Sequence, residues 1–481
     1  MAVVFETAAA LTHTMIDEPN RLKFHIQPPV GLLNDPNGLV QHHGVFHVFY
    51  QWNPWSCEHK NKTWNHLTTT NFIDFQQQDV ALLPTDWYDK NGCYSGSAFI
   101  KDDHVHLFYT GNVKDEAGNR QAYQCLARVQ ADQSVEKLGV VIDDCEIPEG
   151  YTRHFRDPKI WFDQETQQWV TILGAQTCQE QGTVLLFTSR DAMKWAFHGE
   201  LQTKYTRQFG YMWECPDLLT VDNQDVLIFS PQGVEQQGME YANIYQSGYL
   251  LGSFDLPTAR LQHGTFRELD RGFEFYAPQT FTDESGRVIL LAWMGLPEEE
   301  AQPTCEAGWV HALTVPRHLT IRDGILCQQP IRELQALRKT ALQEQVLPSG
   351  HSEHTVSDCY ELQLTWDTLP TTGTCTLAFD HEHTLELDFN QKLATLRRTG
   401  AYLPGIRQCQ LEETTNLTLT ILKDTSSVEI FLQDGRNVFT ARTFHEHRPT
   451  ILTVELAAIA ATIAYCELGA MTITHTEKGK K

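Results

Sequence analysis

Five similar strand-like segments recur through the first two thirds of the sequence, and this repeat restricts the possible folds more than any other feature. Two of them share the pattern H-x-F-Y-x-x-N, "HVFYQWN" from His47 and "HLFYTGN" from His106. Three further apolar segments begin at Trp169, Val226 and Val288, so that successive starts are separated by 59, 63, 57 and 62 residues. A repeat of this length has room for several short strands and predicts one unit of a repeated β architecture per copy.

The predicted fold is all-β, a five-bladed β-propeller over residues 1–330 followed by a β-sandwich over 350–481. Radial repetition leaves few exposed sheet edges, which favours a propeller over a single sandwich or barrel, and a β-helix would have much shorter repeats. The alternating segments "CYELQLTW" and "HTLELDF" predict the sandwich. Between the two domains, "IRELQALRKTALQEQ" predicts a helical linker over 331–349.

Composition excludes several classes of function. The chain has 61 acidic and 37 basic residues, a net charge of −24, which repels nucleic acid and anionic membrane surfaces. The first thirty residues lack the pattern of an export signal, and there is no uncharged apolar run of about eighteen residues. Twelve cysteines contain no C-x-x-C pair, so we expect reduced thiols, no metal, no cofactor and a cytoplasmic protein without nucleic-acid or membrane partners. The oligomeric state stays open.

Acidic residues occupy equivalent positions in three of the five repeats. Twelve residues before the strand starts lie Asp35, Asp157 and Glu214, and the other two repeats have Tyr94 and Tyr276 there. Because equivalent positions of propeller blades converge on one axis, the three carboxylates and the two tyrosines are predicted to share a central pocket. Taken singly, each of the two Asp-Pro motifs is also typical of a turn. Glu214 taken singly is also typical of an acid at a strand edge.

The neighbours of these acids indicate a division of roles. Arg156 and Lys159 are predicted to keep Asp157 ionised, whereas the aromatic and cysteine neighbours of Glu214 are predicted to raise its carboxyl pKa. One protonated and one ionised carboxyl group, in a pocket rich in Trp, Tyr, Gln and Asn, are the groups that hydrolyse a glycosidic bond.

Ten motifs, taken in order, resemble glycoside hydrolase family 32, the β-fructofuranosidases. They are "HIQPPVGLLNDPNGLV", "FYQWNP", "NGCYSGSAF", "FRDPKIW", "WECPDL", "FEFYAPQTF", "AWMG", "GWVHALTVPRHLT", "QQPIRELQALR" and "DTSSVEIFLQDG". The resemblance runs almost end to end and implies a propeller that carries the active site, followed by a sandwich. It also implies a retaining hydrolase of small sugars such as sucrose or sucrose-6-phosphate.

The resemblance further implies roles for individual residues. Asp35 matches the family's nucleophile, Glu214 its acid/base, and Asp157 the residue that binds fructose hydroxyls and stabilises the transition state. The matching positions for substrate contact are Asn34, Gln51, Trp64, Tyr94, Ser95, Arg156 and Trp293. A fructan exohydrolase or a fructosyltransferase would share the same three acids. A non-catalytic sugar-binding propeller is a further alternative, although all three acids are present.

The chain departs from the family pattern at a loop of the expected glucose subsite. Where the family has E-W-G-x-x-H-W-G-H, residues 58–66 read "EHKNKTWNH". His59, Lys60 and Lys62 form a local basic group there and are predicted to bind a phosphate on the glucose, unless the segment is simply a solvated loop. Glu274 also stands where the family has Asp, which leaves the outer subsite uncertain.

Overall fold

Antiparallel strands dominate the structure, as predicted. The computed structural model describes residues 8, 10–14, 17–297, 299, 302–445 and 450–475. Five sheets surround an axis as propeller blades, and two six-stranded sheets follow as a sandwich, so the predicted fold class is confirmed. Short 3-10 helices lie at Asp144–Glu146, Pro303–Cys305 and Arg332–Leu337. In the described part of the chain, no helix has the length and apolarity to span a bilayer.

Each blade is built mainly from consecutive strands. The first contains β1 (Gly31–His42), β2 (Val45–Asn53), β3 (Thr63–Thr69) and β4 (Asp74–Gln77). The second contains β5 (Cys93–Lys101), β6 (His104–Lys114), β7 (Arg120–Val129) and β8 (Val135–Ile142). The third contains β9 (Tyr151–Asp163), β10 (Gln168–Thr177), β11 (Gly182–Ser189) and β12 (Ala196–Glu200). The fourth contains β13 (Met212–Val221), β14 (Gln224–Gln232), β15 (Gly248–Asp255), β16 (Arg260–His263) and β17 (Arg267–Glu268).

The fifth blade closes the ring onto the first. It contains β18 (Tyr276–Thr282), β19 (Val288–Met294), β21 (Ala312–Leu313), β22 (Arg317–Arg322) and β23 (Ile325–Pro330). The innermost strands β1, β5, β9, β13 and β18 contact one another in turn, and β18 contacts β1. The short strand β20 (Trp309–Val310) pairs in parallel with the start of β1, which covers the inner edge of the first blade.

Every innermost strand has a β-bulge at a corresponding point. A bulge leaves an extra residue unpaired and redirects its side chain. Asp157, Cys215 and Ala277 occupy the bulges of the third, fourth and fifth blades with φ values of 64°, 47° and 48°. The register shifts lie at 33–36 in β1, 94–96 in β5, 156–159 in β9, 214–217 in β13 and 276–279 in β18.

The sandwich buries one apolar core between its two sheets. Its strands alternate buried and exposed residues, for example along β28 (His383–Asp388), which is the pattern of a sheet with one face on a core. The first sheet contains β24 (Gln343–Leu347), β35 (Ala461–Glu467), β26 (Tyr360–Trp366), β31 (Leu417–Asp424), β32 (Ser427–Leu432) and β33 (Asn437–Arg442). The second contains β25 (Gly350–Thr355), β34 (Ile451–Ala457), β27 (Thr374–Ala378), β28, β29 (Leu393–Arg398) and β30 (Gly405–Gln410).

The connection between propeller and sandwich differs from the predicted helical linker over 331–349. Only Arg332–Leu337 is helical, as a 3-10 turn, and β24 begins at Gln343. Pairing of β24 with the sheet edge at β35 satisfies its backbone and overrides the weak helix propensity of this segment. The end of the chain also departs from the predicted domain, because β36 (Thr472–His475) pairs in parallel with β4 of the first blade.

Buried charges join the two modules. Arg317 of the propeller donates to Glu429 of the sandwich at 2.6 Å and to Asp270 at 3.0 Å, and these side chains are fully buried. His25 lies between Asp424, 2.8 Å away, and Glu429, 2.9 Å away. Burial opposes a charge on His25, but the two carboxylates raise the pKa of the imidazole. Removing one of these side chains would leave the buried charges of the others unpaired, which is costly. The network therefore fixes how the two modules pack against each other.

Glu274, which replaces an Asp of the family pattern, lies at the contact between the propeller and the sandwich. Its side chain is fully buried, and Arg398 of β29 donates to it at 2.7 Å. The backbone N–H of Arg442 donates to its other oxygen at 2.8 Å. Glu274 therefore binds the sandwich to the propeller rather than lining a subsite.

Candidate active site

The three predicted acids converge at the centre of the propeller. Asp35, Asp157 and Glu214 lie on β1, β9 and β13, each at or beside the bulge of its strand. The thiol of Cys215 lies 3.8 Å from Oδ2 of Asp35 and 3.7 Å from Oδ2 of Asp157, and its backbone N–H donates to Asp157 at 3.1 Å. One side chain thus contacts carboxylates from two other blades, so the pocket forms at the axis.

A closed set of hydrogen bonds orients Asp35. Ser95 donates to its Oδ2, and Asn34 Nδ2 donates to its Oδ1 at 3.0 Å. Gln51 donates to Ser95 Oγ at 2.6 Å and accepts from Asn34 at 2.5 Å. Burial raises the pKa of Asp35, and the charge of Glu214 adds to the rise, while the bonds from Ser95 and Asn34 oppose it. The carboxylate is fixed in one orientation with both oxygens engaged.

Glu214 has a polar environment, contrary to the sequence prediction. Arg156 donates to its Oε1 from Nε at 3.0 Å and from Nη2 at 2.5 Å. Gln232 and Tyr276 donate to Oε2 at 2.6 and 2.7 Å. Burial favours the protonated acid, but the charge of Arg156 and these bonds outweigh it and lower the pKa of Glu214. The prediction of a pKa raised by apolar neighbours is wrong, because Trp213 packs away into the blade core.

The pKa of Asp157 is shifted in the opposite direction to that of Glu214. Its residue is only 4% exposed, and burial raises its pKa to about 7 although Arg156 lies 3.9 Å away. Lys159 does not contact it, because the lysine donates to Asp217 at 3.0 Å and to the carbonyl of Thr280. The predicted stabilisation of ionised Asp157 by Lys159 is therefore wrong.

Four predicted substrate-contact residues lie in direct hydrogen-bonding contact with the acids or their partners, namely Asn34, Gln51, Ser95 and Arg156. Tyr94 is half-buried one residue before Ser95, with the guanidinium of Arg120 over its ring at 5.6 Å.

Both tryptophans among the predicted contacts are buried, with Trp293 only 1% exposed, but their neighbours differ. The Trp293 ring lies 5.2 Å from His59 and 6.1 Å from Tyr276, centroid to centroid. Trp64 has no exposed surface, packs in the apolar core between the first two blades, and donates from Nε1 to the carbonyl of Tyr94 at 3.2 Å. The prediction for Trp64 is wrong, since it supports the backbone of Tyr94 from behind.

The predicted phosphate-binding group is not assembled. Lys60 is exposed and forms an ion pair with Glu58. Lys62 is buried and donates to Asn34 Oδ1 at 2.5 Å, and burial lowers its pKa to about 7 against the opposing charge of Asp35. The two lysines therefore have separate environments, and the interpretation of them as one basic group at the rim is wrong.

Sequence reasoning missed Gln232 and Cys215 in the pocket and the role of Tyr276. The repeat places Tyr276 in the central pocket but gives it no role, and the structure shows that it donates to Glu214. Gln232 ends β14 much as Gln51 ends the apolar part of β2, and this correspondence between blades was an available signal. Cys215 had no signal beyond its neighbour in the sequence.

A possible set of metal ligands lies away from this pocket. His42 and His43 each place Nε2 near Asp103 Oδ1, at 3.1 and 3.0 Å, at the hairpin turns of the first two blades. These turns lie at the other end of β1 from Asp35. The group has no contact with the three acids and no part in their chemistry.

Comparison with known proteins relates the chain to one family along most of its length. The family model "Glycosyl hydrolases family 32 N-terminal domain" matches residues 25–330, and "Glycosyl hydrolases family 32 C terminal" matches 333–467. The sucrose-6-phosphate hydrolase of Bacillus subtilis is 43% identical over 89% of this chain and 89% of its own length. That of Klebsiella pneumoniae is 39% identical over 92% of this chain and 94% of its own length.

Solved structures show the same arrangement of domains. The sucrose-6-phosphate hydrolase from Lactobacillus gasseri superposes with a TM-score of 0.87 at 29% identity, over 98% of this chain and 97% of the other. The Bombyx mori β-fructofuranosidase of the same family gives 0.85 at 28% identity, with 98% of both chains covered. The chain belongs to glycosyl hydrolases family 32.

Proposed function

We propose that the protein is a retaining β-fructofuranosidase that hydrolyses the terminal β-D-fructofuranoside bond of sucrose-6-phosphate or sucrose. The observation that carries this proposal is the convergence of Asp35, Asp157 and Glu214 on one pocket, each with a different set of partners. The relatives named sucrose-6-phosphate hydrolase and the Bombyx mori enzyme variant solved in complex with sucrose support the choice of substrate.

In the first step, Asp35 attacks the anomeric carbon of the fructosyl unit while Glu214 gives its proton to the leaving glucosyl oxygen. The bond from that carbon to the leaving oxygen breaks as the bond to the Asp35 carboxylate forms. In the second step, water attacks the fructosyl-enzyme, Glu214 takes the proton of the water, and the Asp35 carboxylate is released. Two displacements at one carbon give net retention of configuration.

The contacts of Glu214 suit the ionised form that exists after proton transfer. Arg156, Tyr276 and Gln232 all donate to its carboxylate, so they stabilise the charge that develops as the leaving group departs. In the free enzyme the pKa of Glu214 is lowered and that of Asp35 raised, which is the reverse of what the first step requires.

Substrate binding has to invert this order of acidities. Fructose hydroxyls that donate to Asp35 and Asp157 favour their ionised forms, since hydrogen bonds to a carboxylate lower its pKa. The leaving sugar excludes water from Glu214, which favours its protonated form. In its ionised form, Asp157 then binds fructose hydroxyls and stabilises the positive charge of an oxocarbenium-like transition state. Tyr94, which is half-buried next to Ser95, supplies aromatic surface for the sugars.

We further propose a cytoplasmic location. All twelve cysteines lie in the described part of the chain and all are free thiols, which suits a reducing compartment.

The deciding experiment is fructose release from sucrose, sucrose-6-phosphate, kestose and inulin by one preparation, compared as kcat/KM. We expect the highest value with sucrose-6-phosphate or sucrose, and we expect Asp35→Asn, prepared in parallel, to have almost no activity. A preference for kestose or inulin would indicate a fructan exohydrolase, and kestose formation at high sucrose would indicate a fructosyltransferase. Absence of release from every substrate would contradict the proposal.

A further inference from the structure

Arg120 is a half-buried cation beside the pocket that has no anionic partner among the described residues. It begins β7 and lies opposite Lys114 across the β6–β7 hairpin. Its guanidinium lies over the ring of Tyr94, 5.6 Å from the centroid, and within the described chain no carboxylate comes within ion-pair distance of it. Arg156, by contrast, is engaged by Glu214. A partly desolvated charge without a partner is unfavourable unless a ligand supplies the opposite charge.

Arg120 lies near Glu214, the proposed proton donor to the leaving sugar. Glu214 and Asp157 are close enough for their charges to favour the charged form of Arg120, although burial and the charge of Arg156 lower its pKa overall. Under the function proposed above, Glu214 protonates the leaving oxygen, so the glucosyl unit extends outward past this carboxyl group. Tyr94 precedes Ser95, the donor to Asp35, so the ring beneath Arg120 belongs to the wall of the same pocket.

His154 provides a second donor near Arg120. Arg156 Nη1 lies 3.2 Å from His154 Nδ1, and because a guanidinium only donates, Nδ1 accepts and the neutral ring carries its proton on Nε2. His154 is half-buried. Burial, together with the positive charges of Arg156 and Arg120, lowers the pKa of its imidazole to about 4. Its Nε2–H has no hydrogen-bond partner among the described residues.

We propose that Arg120, together with His154 and the ring of Tyr94, binds the phosphate monoester of the leaving sugar and so selects sucrose-6-phosphate over sucrose. This inference rests on the proposed function. The planar guanidinium suits a phosphate because it donates two parallel hydrogen bonds to one anion. In a chain with a net charge of −24, a dianionic substrate also requires a local cation that is not already neutralised. Lys60 is already paired and Lys62 is buried against Asn34.

The test compares Arg120→Gln, Arg120→Lys and His154→Phe with wild type on sucrose-6-phosphate and sucrose. Arg153→Gln is the matched control, because it removes a positive charge next to His154 that already pairs with Asp144 at 3.0 Å. We expect Arg120→Gln to lower kcat/KM for sucrose-6-phosphate by about 10- to 150-fold, mainly through KM, the range for losing a hydrogen bond to a charged group. The fall for sucrose should stay below about threefold. Arg120→Lys should retain part of the preference, and Arg153→Gln all of it.

Binding of glucose 6-phosphate, measured by calorimetry against glucose, tests the site without turnover. Wild type should bind the phosphorylated sugar more tightly, and Arg120→Gln should bind the two alike. Equal losses for both substrates, or an unchanged preference in Arg120→Gln, would overturn the inference while leaving the proposed function intact. A wild-type preference for sucrose would overturn it as well. Absence of hydrolysis with retained, Arg120-dependent binding of glucose 6-phosphate would instead reject the proposed function alone.

Discussion

Replacing Asp157 with Asn should make the protein more stable at alkaline pH while it removes activity. Asn is nearly isosteric with Asp and tolerates the left-handed backbone at φ 64° better than other residues do. Its side-chain oxygen can still accept the hydrogen bond from the N–H of Cys215. The substitution therefore removes the ionisable group and leaves the bulge and its contacts in place.

The magnitude follows from the pKa of Asp157. Burial raises it to about 7 from a reference of 3.8, so the folded state holds the proton more tightly than the unfolded state does. For such a group, stability is highest below the unfolded pKa and is lost as pH rises toward the folded value. Each pH unit between 5 and about 7 corresponds to roughly 1.4 kcal/mol. The wild type should therefore lose about 2 to 3 kcal/mol relative to Asp157→Asn between pH 5 and pH 8.

Thermal and urea unfolding of the two proteins at pH 5 and pH 8 measures this difference. The melting temperature of the variant should exceed that of wild type by a few degrees at pH 8 and by less at pH 5. A difference in stability that does not change between the two pH values would refute the reasoning, because it would mean that Asp157 titrates normally in the folded state. Hydrolysis by Asp157→Asn should be almost abolished at both pH values.

Three further outcomes are expected. Glu214→Gln should lower kcat by a factor of about 10² to 10⁴ and Asp35→Asn by at least as much, with unchanged circular dichroism; wild-type turnover in either would show that the role is misassigned. Rapid NMR should detect the β-anomer of fructose as the first product, and initial release of the α-anomer would exclude double displacement. His25→Ala should destabilise the protein by about 3 to 5 kcal/mol in urea unfolding, by leaving Asp424 and Glu429 without their shared partner. Because the pKa of His25 is raised, this loss should be full below about pH 6.5 and should shrink as pH rises through the folded value; a loss independent of pH would indicate a packing defect instead.

The repeat in the sequence predicted the positions of the acids because a propeller converts sequence spacing into spatial equivalence. Asp35, Asp157 and Glu214 stand at matching points of β1, β9 and β13, and Tyr94 and Tyr276 stand at those of β5 and β18. Strand positions were predictable since the period of side-chain alternation and the interval between blades are both local properties of the sequence.

Three predictions failed for physical reasons that the sequence does not display. All residues of β3 are buried, so alternation gave no means of telling whether Trp64 faces the pocket or the core. The prediction for the basic segment at 58–66 rested on its charges alone. The turn there exposes Lys60 to solvent and buries Lys62. Residues 343–347 have mixed propensities, and the open edge of a distant strand decided their conformation.

The failed predictions for the pKa of Glu214 and for Lys159 beside Asp157 show where the chemical differences between the acids originate. Each carboxylate takes at least one of its polar partners from an adjacent blade rather than from its own sequence neighbours. The pairs are Asp35 with Ser95, 60 residues apart, and Asp157 with Cys215 and Glu214 with Arg156, both 58 residues apart. Since one blade comprises about that number of residues, a partner from the next blade is remote in the sequence but adjacent in space. Any substitution that shifts one blade against the next should therefore alter the pKa values of these acids, even if it leaves every acid in place.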